Sequence, residues 1–220
     1  KLDKTDQLPL SFFPAPVPTL DSFVVGSNFE AFNIVKELSE GRGPQIVYLF
    51  GESGTGKTHL LTTLEKPGPT VPVFDSEKKI FVVDDVQDLS EEELAALFEL
   101  ANQVRAHSGT HLIVAGDKSP SALRSRGMRV DVTSRLGWGT VVELAPLSEE
   151  EKQQVFINRA HSKGLELSPE VMQWMSAYLP RDMRTLSRLL EELDAYSLSK
   201  NRRLTIPLIK EWLAKTHQSF

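Results

Sequence analysis

The stretch Gly51 to Thr58 reads G-E-S-G-T-G-K-T and follows directly on the apolar run Ile46-Val47-Tyr48-Leu49-Phe50. Gly54 and Gly56 let the backbone turn with its N–H groups inward, and a helix beginning at Lys57 aims its positive end at the same point. Lys57 adds a full charge for the β/γ-phosphates, and Thr58 offers a hydroxyl to Mg2+. Gly51, Ser53, Gly54, Thr55, Gly56, Lys57 and Thr58 are therefore the expected nucleotide-binding residues, with Thr58 also a metal ligand. His59 stands next to them in the first helical turn. The chemistry there is already supplied, so His59 reads as structural at the nucleotide site.

Two further strand ends carry acids. Ile80-Phe81-Val82-Val83-Asp84-Asp85 is an apolar run closed by paired carboxylates. Asp84 suits a place near the Mg2+ and its waters, and Asp85 suits orienting the attacking water. Leu112-Ile113-Val114-Ala115-Gly116-Asp117 ends the same way. Ligands in such sheets lie beyond the carboxyl ends of the strands. Asp117 is thus either a sensor of γ-phosphate or water, or an N-cap or turn aspartate ahead of Pro120.

Positioning these groups requires a parallel sheet with crossover helices. Strands are expected at Ile46 to Phe50, Ile80 to Asp84, Leu112 to Ala115 and Val141 to Leu144. Helices are expected at Asn28 to Leu38, Lys57 to Leu64 and Glu91 to His107, the last opened by a Ser90/Glu93 capping box. Val71 to Phe74 is awkward, because only Asp75 to Lys78 lies between it and the strand at Ile80. A parallel crossover needs about a dozen residues. Either this run is not a sheet strand, or a strand-helix unit has been lost.

Prolines at 9, 14, 16 and 18 make residues 1–20 an extended tail. Residues 21–146 form the α/β core. After Pro146 helical signals dominate, with a Ser148/Glu151 capping box, Ser168-Pro169 as cap and first helical position, and Asp182 as a third cap. Residues 147–220 are expected to be a small helical lid domain.

A chain of 220 residues with 40% hydrophobic content can bury a real core. The net charge of −5 argues against wrapping nucleic acid, although Lys118, Arg124, Arg126, Arg129 and Arg135 are dense enough for a local patch or a solvated loop. There is no cysteine, hence no disulfide or thiolate metal site. No run of about 18 apolar residues and no secretory leader pattern is found, so no membrane association is expected and a cytoplasmic location is the default.

The motifs together resemble the DnaA family of AAA+ replication proteins, and within it the short regulatory homologues more than the initiator. The carriers are F-V-V-G at Phe23 to Gly26, G-E-S-G-T-G-K-T-H-L-L at Gly51 to Leu61 and V-V-D-D-V at Val82 to Val86. A-G-D-K-S-P at Ala115 to Pro120, S-R-L-G-W-G at Ser134 to Gly139, R-D-M-R-T-L at Arg181 to Leu186 and L-T-I-P at Leu204 to Pro207 extend the resemblance from about Gln7 to Leu213. It implies an AAA+ P-loop core with a helical lid, binding ADP or ATP with Mg2+. Phe23, Val24 and Val25 would line the adenine pocket as an apolar strand. Arg135 aligns with an arginine finger acting in trans, and Arg184, or Arg181 nearby, with a lid arginine that senses phosphate. Trp138 reads as packing rather than base stacking.

Gln7-Leu8-Pro9-Leu10-Ser11-Phe12 resembles the peptide by which this family grips the sliding clamp, the β subunit of DNA polymerase III. Leu10 and Phe12 would enter an apolar groove, with Leu8 beside them and Gln7 at its edge. The chain stops after the lid at Trp212 and Leu213, so sequence-specific DNA binding is not expected. The implied function is regulation of replication initiation: clamp-bound and nucleotide-bound, the protein promotes hydrolysis of ATP on DnaA, with weak turnover of its own. A homo-oligomer is compatible with this. The alternative is a self-sufficient AAA+ ATPase or helicase loader acting on DNA complexes.

Overall fold

A computed structural model describes residues 18–216 apart from 163, 166 and 179–182, and leaves out the side chains of 159, 176 and 183–187. Gln7, Leu8, Leu10, Phe12, Arg181 and Asp182 lie outside the described residues. For Arg184 only the backbone is described.

Four parallel strands form one sheet: β1 Ile46–Phe50, β2 Ile80–Val83, β3 His111–Gly116 and β4 Thr140–Glu143, in the order β2-β3-β1-β4. The register sets Phe50 opposite Gly116 and Glu143, and Val83 opposite Val114. Strands buried on both faces read as continuous apolar runs, which is how β1 reads. Val47 and Leu49 face one core cluster, with Leu60, Leu61, Ala31 and Val35 of the helices α1 Phe29–Ser39 and α2 Lys57–Leu64. Ile46 and Tyr48 face the other, with Leu97, Leu100 and Val104 of α3 Glu91–Ala106. The Ser90/Glu93 capping box is present in both directions, at 3.3 and 2.8 Å.

The structure resolves the awkward interval. Val71 to Phe74 pairs with no strand, and residues 65–79 contain neither helix nor strand, so β2 is the sheet edge. Val71 and Phe74 still serve the core, Phe74 by stacking on Phe81 at 5.5 Å, while Val73 is exposed. β2 also ends at Val83 rather than Asp84, because Asp85 turns left-handed at φ 48° and breaks the extended chain. Two short helices were not expected, α4 Pro120–Ser125 and α5 Val130–Leu136. The first starts as Ser119 accepts from the Ala122 N–H, with Pro120 at the position where a missing donor costs nothing.

Four more helices, α6 Glu149–Ser162, α7 Pro169–Tyr178, α8 Met183–Lys200 and α9 Ile206–Thr216, pack around their own cluster of Phe156, Val171, Leu193, Leu208 and Trp212. The Ser148/Glu151 box closes the start of α6 at 2.7 and 3.1 Å, and Ser168 caps α7. Asn28, buried just before α1, clasps Ala145 just before α6: it donates to the carbonyl at 2.9 Å and accepts from the N–H at 2.8 Å. Removing that amide would strand two backbone groups at about 1–3 kcal/mol each.

Candidate nucleotide-binding site

The phosphate loop leaves the carboxyl end of β1, an interior strand. Gly54 and Gly56 take φ of 84° and 100°, where a side chain is strained. Gly56 is doubly constrained, since a Cβ there would lie 2.7 Å from the Phe23 ring. Lys57 is 8% exposed, and its Nζ donates to the carbonyls of Gly51 at 2.7 Å and Glu52 at 2.9 Å. A buried ammonium is expensive unless paired; here two loop carbonyls hold it at the loop's centre.

The three strand ends converge. Thr58 Oγ1 donates to Asp84 Oδ2 at 2.6 Å, and Asp84 Oδ1 accepts from the Asp85 N–H at 2.9 Å. A hydroxyl and a carboxylate are hard oxygen ligands, which suits Mg2+ held by few protein groups plus waters and phosphate. Among the described residues no cluster of three or more His, Cys, Asp or Glu could hold a metal alone. The donor set therefore fits Mg2+ brought with a nucleotide.

Gln87 joins Asp85 to Asp117, which sequence reasoning missed. Its Nε2 donates to Asp85 Oδ1 at 3.1 Å and Asp88 Oδ2 at 3.3 Å, and its Oε1 accepts from the Asp117 N–H at 3.0 Å. A signal existed in its place two residues after the paired acids, but a lone glutamine in a turn names no partner. Asp117 lies in a bend ahead of Ser119, which caps α4; Arg126 donates to its Oδ2 at 2.7 Å, and among the described residues its buried Oδ1 has no partner. Behind it Tyr48 donates to the Lys118 carbonyl at 2.6 Å, and burial, then the charge of Asp117, push its phenol well above the usual range.

Phe23, Val24 and Val25 are half-buried in a loop and form no strand, a correction to the expectation. The turn from Thr19 to Ser22 and the left-handed Gly26 prevent an extended run. Phe23 stacks on Phe32 at 6.2 Å and leans on His59 at 5.5 Å. His59 Nε2 also lies 2.9 Å from the Thr19 carbonyl and 3.3 Å from Ser22 Oγ. It ties the incoming chain to α2.

Arg135 does not join this group. It stands in the last turn of α5, its Nε donating to Asn102 Oδ1 at 2.9 Å and its guanidinium lying 3.6 Å from the Trp138 ring and 4.5 Å from Phe98. Trp138 is 40% exposed, and Arg105 lies over it too, at 4.2 Å. It packs, but against arginines. Of the other arginines in that patch, Arg126 pairs with Asp117, Arg129 with Asp131, and Arg124 with Thr133 and Ser134. The hydrogen bond from Arg129 holds the Asp131 carboxyl below its usual range.

A parallel sheet, a phosphate loop at the end of an interior strand, acids on two further strand ends and a following helical unit define a P-loop protein of the AAA+ class. Residues 149–213 match the family model for the lid domain of Hda. An uncharacterized protein of Haemophilus influenzae is 32% identical over 94% of this chain and 98% of its own length. Domain III of the Thermotoga maritima replication initiation protein DnaA superposes with a TM-score of 0.71 at 22% identity, covering 91% of this chain and 97% of that one. DnaA of Aquifex aeolicus, in a structure bound to AMPPCP, has a TM-score of 0.65 at 25% identity, covering 81% and 65%. The chain belongs to the Hda-like, DnaA-homologous AAA+ proteins.

Proposed function

We propose that this protein binds ADP or ATP with Mg2+ and acts on the initiator DnaA in trans, promoting hydrolysis of DnaA-bound ATP and so restraining replication initiation. The nucleotide would lie along Gly51, Ser53, Gly54, Thr55, Gly56 and Lys57, with Phe23, Val24 and Val25 toward the base and His59 behind. Thr58 and Asp84 would hold the Mg2+, which offsets phosphate charge. Asp85 would orient water, and Asp117 and Arg184 would report on the phosphates. Gln7, Leu8, Leu10 and Phe12 would tether the protein to the sliding clamp, bringing it to DNA-bound DnaA.

The observation that carries this reading is the placement of Arg135. Among the described residues its hydrogen-bond and ring partners are Asn102, Phe98 and Trp138, none of them a carboxylate. A guanidinium stacked between rings keeps N–H groups for an anionic partner, and an arginine supplied in trans raises phosphoryl-transfer rates by about 10³–10⁵. The test is ATP hydrolysis by DnaA with DNA-loaded clamp, comparing the wild type with Arg135→Ala. Stimulation should fall at least about a hundredfold; unchanged stimulation would sink the finger assignment.

A second reading is favoured by the Thr58–Asp84 pair. Those oxygens, with Lys57 and Asp85, are what a self-sufficient ATPase or helicase loader needs. Brisk ATP turnover by the isolated protein, unaffected by alanine at Gln7, Leu10 and Phe12, would support it over the first.

A further inference from the structure

At the amino-terminal end of β1, away from the phosphate loop, a surface cleft of about 350 Å³ is lined by Pro44, Gln45, Ile46, Arg105, Trp138 and Gly139. Its walls are fixed. Gln45 Nε2 donates to the carbonyls of Val104 and His107, both at 3.1 Å, which ties its floor to the end of α3. Gly139 lies so close to β1 that a Cβ there would meet the Ile46 carbonyl, and so holds the neighbouring Trp138 on the rim.

The chemistry of the cleft is lopsided. Arg105 is exposed and has no ion pair among the described residues, and its contact is the Trp138 ring. Arg135 lies over the same ring, and its polar partner is a neutral amide. Two guanidiniums on one tryptophan, in a chain of net charge −5, form a local excess of positive charge. Arg105 does suit the negative end of α3, but that does not account for its stacking on a half-exposed tryptophan. A ring contact uses no N–H of a guanidinium, so donors remain for binding, and their fork matches carboxylate oxygens.

We infer that Arg105 and the cleft beside Trp138 seat a carboxylate-bearing segment of the subunit whose nucleotide Arg135 serves. This rests on the finger reading for the identity of that subunit. Two positions argue for that occupant. The cleft is at the opposite end of β1 from Gly51, so it is no extension of the chain's own nucleotide site. Trp138 is shared between the cleft and Arg135, so a chain that brings ATP to Arg135 must cover both. Arg135 then meets phosphate, and Arg105 meets an acidic side chain nearby and fixes the docking angle.

The test is equilibrium binding of the full protein to ATP-bound DnaA, with DNA-loaded clamp in every arm, over a series of salt concentrations. Arg105→Glu should weaken binding about tenfold or more, and Arg105→Ala should flatten its salt dependence; Arg105→Lys should fall between Ala and wild type. Arg105 is exposed, and equal melting curves show that each variant is folded. Wild-type affinity and salt dependence in Arg105→Glu would overturn the inference. So would loss of self-association with DnaA binding intact, which would make the occupant a second copy of this chain. Arg135→Ala separates the two readings. If it leaves stimulated hydrolysis intact, the finger fails; if it abolishes stimulation while Arg105→Glu binds normally, only the cleft assignment fails. No wild-type binding to DnaA sinks both.

Discussion

The Thr58 hydroxyl donates to Asp84 Oδ2 at 2.6 Å, joining the first turn of α2 to the end of β2 although β3 lies between β1 and β2 in the sheet. Residues 26 positions apart in the sequence thus present two hard oxygens to one point. Asp84 also accepts from the Asp85 N–H, which fixes its carboxylate plane.

If this pair holds the metal, Thr58→Val should cost about 10–100-fold in Mg2+-supported nucleotide affinity. Calorimetric titration of ADP with Mg2+ and with chelator measures it. The wild type should bind more tightly with Mg2+, and the variant should show little difference. A variant that keeps the full Mg2+ effect rules out Thr58 as ligand.

Gly56→Ala should destabilise the protein by about 1–3 kcal/mol, from the strained φ of 100° and the clash with Phe23. The two contributions separate in a double-mutant cycle with Phe23→Ala, followed by urea unfolding. The clash vanishes in the Phe23→Ala background while the backbone strain stays, so the coupling should be at least about 0.5 kcal/mol. Equal cost of Gly56→Ala in both backgrounds would leave backbone strain as the whole effect.

In the helical unit Tyr196 donates to Glu211 Oε1 at 2.8 Å, and that bond, helped by Lys215 and Arg202, holds the Glu211 carboxyl below its usual range. A carboxylate with a depressed folded pKa stabilises the fold above its unfolded pKa of about 4.3, and that contribution is lost as pH falls through the folded value. Glu211→Gln should therefore melt below the wild type at pH 7, with the gap closing as pH drops below about 4. A gap that is constant with pH would mean that Glu211 acts by packing alone.

The phosphate loop, the acids at Asp84 and Asp117 and the alternation of core and helical unit were all legible in the sequence. Each depends on short-range chemistry: glycines that permit positive φ, apolar runs that demand two-sided burial, and caps three residues from their partners. Val71 to Phe74 was not legible, because an apolar run serves equally as a strand or as a cover over the core. Phe23 to Val25 misled for the same reason, and the short α4 and α5 lack the length to show a period.

By itself the sequence determined that a strand, a glycine loop and a helix follow one another at Ile46 to Leu64, since backbone geometry there leaves little choice. Tertiary structure alone decided which distant groups meet. Gln87 bridges Asp85 and Asp117, and Arg135 lies on Trp138 beside Asn102 rather than at its own chain's phosphate loop. Sheet order and helix packing set those distances, and both depend on burial summed over the whole chain, which no local spacing encodes.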